Sequence, residues 1–309
     1  TAKKYHIDVI EGGCLRMTID WLPVVLSLTS AFLFAVGAQF QYIGLLDVHS
    51  RAGTAITITS SAFFYWLFSP FLLDPSNFLK SAVIIFVLVG VFRPSLSANF
   101  AVAATRYLGP TLSSTLSSTS PLFGAALGVW WLGEVFTWQI AVGTMGIIVA
   151  VVILSLGKAR DLNADWPLWA LALPIGAAMI RSMAHVFSKI GMADIPDPYF
   201  AGLVGFSVSA LITTSSLRFG PKMPAVPWKT NGPRWFAAAG LMFGSAIMSL
   251  NTALLHGTIT VVVPMTALSP IFSMLLSIFI FKRERLTARI VIAVLIVVPS
   301  VIFITLSQS

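Results

Sequence analysis

The chain has 309 residues, 57% hydrophobic and only 10% charged, against roughly 25% charged in an ordinary soluble domain. A mean hydropathy of +0.90 excludes a water-soluble globule, because such a fold would expose more apolar surface than it could hide, whereas lipid accepts that surface. The net charge of +8 does not indicate nucleic acid, since a membrane protein gathers Lys and Arg in one set of loops for orientation.

A membrane-crossing helix needs about 20 mostly apolar residues, and that criterion predicts ten spans. A mixed polar tail, 1–20, precedes the first, at 21–46; its lone cysteine, Cys14, excludes an internal disulfide. The second span is 52–73, closed by the turn signal Asp74-Pro75-Ser76-Asn77. The third, fourth and fifth follow at 81–106, 110–132 and 137–156. A short polar linker, 158–165, separates a first repeat, 21–157, from a second, 166–309. The second holds spans at 166–190, 198–217, 234–255, 258–281 and 287–306.

The chain is written twice. YLGPTLSSTLSSTSPLFGAALGVWWLGE, ending at Glu134, recurs as HGTITVVVPMTALSPIFSMLLSIFIFKRE, ending at Glu284. At an offset of 149, Ser120-Pro121-Leu122-Phe123 falls on Ser269-Pro270-Ile271-Phe272, and at 147 Phe40 to Gly44 falls on Phe187 to Gly191. Five spans per half is an odd number, so the halves enter the membrane in opposite senses, as inverted repeats. The fold class expected is an all-α membrane protein of ten helices in two inverted five-helix repeats.

With SPLF and LGE closing the fourth span and SPIF and RERLT closing the ninth, the chain resembles the drug/metabolite transporter superfamily in its EamA-type branch. The resemblance implies a bacterial inner-membrane carrier that works by alternating access through a cavity lined by the first, third and fourth helices and their counterparts. Its partners would be the lipid bilayer and a small-molecule substrate, with no nucleic acid, no cofactor and no metal. Small multidrug exporters of the superfamily bind cations through a first-helix glutamate, and 21–46 has no carboxylate in its interior, which disfavours a cationic drug. The loops also carry orientation. Odd-numbered loops hold twelve Lys and Arg, and the tail with the even loops holds five, which puts the odd loops in the cytoplasm and both termini outside. The resemblance implies termini inside.

Charges at membrane depth point to the site, because lipid makes them costly. Arg93 lies about twelve residues into the third span, near mid-membrane at ~1.5 Å per residue. Arg181, His185 and Lys189 follow one another at i, i+4 and i+8 on one face of the sixth. Lys189 is near the span's end and is expected to snorkel to the headgroups. No Asp or Glu falls inside a span, so Arg93 and Arg181 are read as partners of an anion from outside, with backbone carbonyls or water as the alternative. His185 is the group that could take a proton, or it donates a hydrogen bond to a neighbouring helix. By the offsets, Arg93 maps onto Met242, Arg181 onto Phe34 and His185 onto Ala38. The cations belong to one half only, as expected of a ligand feature on a symmetric scaffold.

Other polar groups are candidates on weaker grounds. Ser114, Ser117 and Ser118 share one face of the hydroxyl-rich fourth span and form either a polar wall or a close-packing surface. Gln39 and Asn251 lie at depths where substrate and neighbouring helices compete for them. Pro121, Pro264 and Pro270 loosen the turn before them and are candidate gating points. Gly124, Gly128, Gly143 and Gly146 suggest that the fourth and fifth helices pair tightly. The function expected is export or exchange of an anionic or zwitterionic metabolite, such as an organic acid or amino acid. The other reading is an intramembrane enzyme acting on a lipid headgroup, with His185 as base.

Overall fold

In lipid every backbone polar group must be satisfied within its own segment, so long apolar runs form helices. The computed structural model describes residues 21–97, 100, 104, 107–108, 113, 116–156, 167–219, 225–282 and 286–307. All regular structure among them is helical. The helices are α1 (Trp21–Gly44), α2 (Ser50–Leu72), α3 (Val83–Gly90), α4 (Ser120–Leu132), α5 (Trp138–Leu156) and α6 (Ala172–Asp194). Then come α7 (Pro198–Phe219), α8 (Gly232–His256), α9 (Ile259–Thr266), α10 (Ser269–Phe279) and α11 (Ala288–Leu306). Among the described residues, eight segments are long and apolar enough to cross a membrane, and Val83–Arg93 and Ser120–Leu132 are shorter apolar helices. Those two occupy the places of the expected third and fourth spans.

Three breaks follow from proline. α4 and α10 each begin at the matched Ser-Pro, with proline in the first turn, where a missing N–H costs nothing. The expected ninth span is thereby divided into α9 and α10. A third break falls at Arg93, where a proline next in sequence disfavours the helical region. Arg93 is extended, at φ −133° and ψ 128°, inside the irregular turn Val91–Leu96. The single Ser209 hydroxyl proton of α7 is shared between the carbonyls of Gly90 (2.6 Å) and Arg93 (3.2 Å), which ties α7 to the break.

The helices pack in exchanged pairs. α1 packs on α8 as α3 packs on α6, and α2 packs on α7 and α5 on α11. Each half therefore uses the other half as its core. Gly143 and Gly146 face Ile304 and Ser300 of α11, while Gly124 and Gly128 face Val263 and Thr260 of α9. This corrects the expected pairing of fourth with fifth helix. The small residues serve contacts between halves, which sequence neighbourhood does not reveal.

The α2–α8 seam is built from hydroxyls. Thr57, Ser60, Ser61 and Tyr65 donate to the carbonyls of Phe236, Ala237, Gly240 and Gly244 in turn. Glycine is needed there. A Cβ on Gly240 would stand 2.4 Å from the Thr57 carbonyl oxygen, whereas one on Gly205 would meet nothing within 4 Å. Gly240→Ala should cost about 1–3 kcal/mol of stability by overpacking. Gly205→Ala should be near neutral, and thermal unfolding of the two variants in detergent checks the contrast.

Candidate functional site

Where the halves meet, the helices leave a cavity of about 870 Å³, within the range of small-molecule sites. Arg93, Arg181, His185, Ser117, Ser118, Gln39 and Asn251 all line it, and so do Pro121 and Pro270. Ser114 lies outside the described residues. Pro264 sits inside α9, buried, and is not on the wall. The first, third and fourth helices contribute, but so do α2 and α7, through Thr57, Ser61, Gly202 and Gly205. Sequence reasoning passed over these because small hydroxyls and glycines look the same in a packing face as in a cavity wall.

The break at Arg93 sets the geometry of the charged end. Arg93 Nη1 is 3.0 Å from His185 Nδ1, and Arg181 stands one turn before His185 on α6. His185 is 4% exposed. Among the described residues no hydrogen bond or ion pair reaches Arg181, and no carboxylate lines the cavity. Phe34, the repeat counterpart of Arg181, also lines the cavity and packs on Phe243 with ring centroids 5.8 Å apart.

Three of the described acids are committed at helix starts. Asp47 accepts from the N–H of Gly232 at the start of α8, and Asp197 from that of Phe200 in α7. Glu134 accepts from Ile259 N (2.8 Å) and Thr260 N (2.9 Å) at the start of α9. Each thus satisfies orphan donors at a helix N-terminus, where negative charge is favoured. Glu134 also holds Lys189 Nζ at 2.9 Å, with side-chain exposures of 6% and 25%. Lys189 therefore does not snorkel. A carboxylate distant in sequence offers it a better partner than the headgroups. Glu284 lies outside the described residues.

Two weaker candidates have internal partners. Gln39 Nε2 donates to the carbonyl and hydroxyl of Ser273, at 2.8 and 2.9 Å, and so ties α1 to α10. Asn251 donates to the Pro198 carbonyl at 3.3 Å. Both still border the cavity.

The profile of the EamA-like transporter family matches residues 21–156 and again 168–306. The chain belongs to the EamA-like transporter family. This EamA-like transporter is therefore a multi-pass integral membrane protein of two repeats that carries a small molecule across the bilayer. A crystal structure described simply as that of a protein shares the fold, with a TM-score of 0.78 over 93% of this chain and 97% of that one, at 17% identity. No curated protein sequence matches.

Proposed function

We propose that the transporter moves an anionic or zwitterionic small metabolite, such as an organic acid or amino acid, whose carboxylate is held by Arg93 and Arg181. The observation that carries this reading is a cavity with two guanidinium groups and an imidazole on its wall and no carboxylate among its described lining residues. Guanidinium presents a planar fork of N–H donors that matches a carboxylate with two parallel hydrogen bonds. Ser117, Ser118, Gln39 and Asn251 supply further polar contacts around the cargo, while His185 completes the charged end. The repeats 21–157 and 166–309, joined by 158–165, are read as inverted and as rocking against each other by alternating access. Pro121, Pro264 and Pro270 serve as the bending points.

A ligand thermal-shift screen split by charge class tests the reading. A bound anion or zwitterion at a hundred times its Kd should stabilise the protein by about 2.7 kcal/mol, and cations should leave the midpoint where it was. Stabilisation by cations alone would overturn the assignment.

A further inference from the structure

We infer that the carrier moves a proton together with its anion, and that His185 holds that proton. The inference rests on the reading of Arg93 and Arg181 as the cargo's partners. It begins from the 3.0 Å contact between Arg93 Nη1 and His185 Nδ1. A guanidinium has donors only, so Nδ1 must accept, and the empty site holds a neutral imidazole with its proton on Nε2. Protonating Nδ1 would set donor against donor.

An arriving carboxylate competes for the same guanidinium. Charge-assisted hydrogen bonds between two ions are roughly twice as strong as neutral ones, so Arg93 turns to the cargo and Nδ1 loses its donor. The freed nitrogen then takes a proton from the outer solution, with the cargo's negative charge beside it to stabilise the imidazolium. The surroundings leave that role to the cargo. Arg93 faces His185 from the end of α3, and Arg181 and Lys189 stand one turn either way on α6. Lys189 is matched by Glu134, and the Tyr65 and Tyr199 hydroxyls donate to the carbonyls of Gly244 and Tyr65. Among the described residues no carboxylate lines the cavity.

Charge balance favours the same scheme. With a monoanion and a proton bound together, the loaded site carries the same net charge as the empty one. The transported pair is neutral, so a full cycle moves no charge through the membrane field and avoids the cost of about 2.3 kcal/mol per charge per 100 mV.

Proteoliposomes loaded by uptake of labelled lactate, succinate, glutamate or phenylalanine test the coupling. For glutamate, a monoanion, an inward proton gradient should drive accumulation of about tenfold per pH unit, the equivalent of ~1.4 kcal/mol. One external proton should disappear per anion, and a clamped membrane potential should have no effect. His185→Asn keeps an acceptor for Arg93 but cannot titrate. It should lose gradient-driven accumulation by a larger factor than it loses exchange of labelled for unlabelled glutamate, whatever the cost to binding common to both. Nitrogen-15 histidine spectra of the unmodified protein give a readout that needs no variant. The His185 signals should be those of the neutral Nε2–H form without cargo and of the imidazolium with it. Arg93-dependent uptake that ignores the pH gradient and consumes no proton overturns the coupling and leaves the anion reading intact. So does a His185 spectrum unchanged by cargo. Accumulation by His185→Asn at the parent level removes His185 from the role. Failure to take up any of the four solutes overturns the anion reading and the coupling with it.

Discussion

Arg93→Ala is expected to cut uptake of the transported anion by a hundredfold or so while the protein still inserts and folds. Truncating one partner of a buried, hydrogen-bonded charge pair costs about 2–5 kcal/mol, and each 1.4 kcal/mol is about tenfold. Stability should move the other way. A cation at the middle of a membrane helix costs on the order of 2.5–3.5 kcal/mol, and Arg93 has a histidine, not an acid, against it. The empty variant should therefore unfold at the same temperature as the parent or above it, a trade of stability for function seen when a site is built on strained or desolvated groups. Arg93→Lys should recover only part of the loss, because an ammonium does not reproduce the two-pronged grip. Uptake assays beside detergent unfolding curves check both directions at once. Parent-level uptake by Arg93→Ala would remove this side chain from the cargo site.

Glu134→Ala should give the largest loss of stability of any substitution considered. The carboxylate serves Lys189 and two backbone donors at the start of α9. Its removal leaves a part-buried ammonium unmatched and strands both N–H groups, which together put the cost at about 3–5 kcal/mol. Lys189→Met alone should cost less, because Glu134 keeps its helix N-terminus. Combining the two changes should cost less than the sum of the single ones, by 1 kcal/mol or more, since they share a partner. Unfolding midpoints of the four proteins measure that coupling. Strict additivity would mean that the pair does not act as a unit.

Much of the fold was legible because its causes are local or repeated. Hydropathy located the helices, and the matched Ser120-Pro121 and Ser269-Pro270 begin α4 and α10 as their offset implies. The cavity-facing position of Arg93, Arg181 and His185 also followed from charge at depth. What escaped was every partner chosen across the halves. The sequence sends Lys189 to the headgroups because Glu134, 55 residues earlier, reads as a loop acid when only the sequence is in view. The glycines of α4 and α5 were paired with each other because the helices are consecutive, whereas the exchange of elements sends them to α9 and α11. The extended backbone at Arg93 was readable from Arg93-Pro94, but its consequence was not. Ser209, which tends the broken turn, sits 116 residues away.

The row of hydroxyls joining α2 to α8 limits how the molecule can move. Sliding one helix past the other by a turn, about 5.4 Å, would break the four bonds that Thr57, Ser60, Ser61 and Tyr65 make with successive carbonyls. Pivoting about the line of those bonds keeps them. A motion of the halves that preserved this seam would be a pivot about it, not a slide along it.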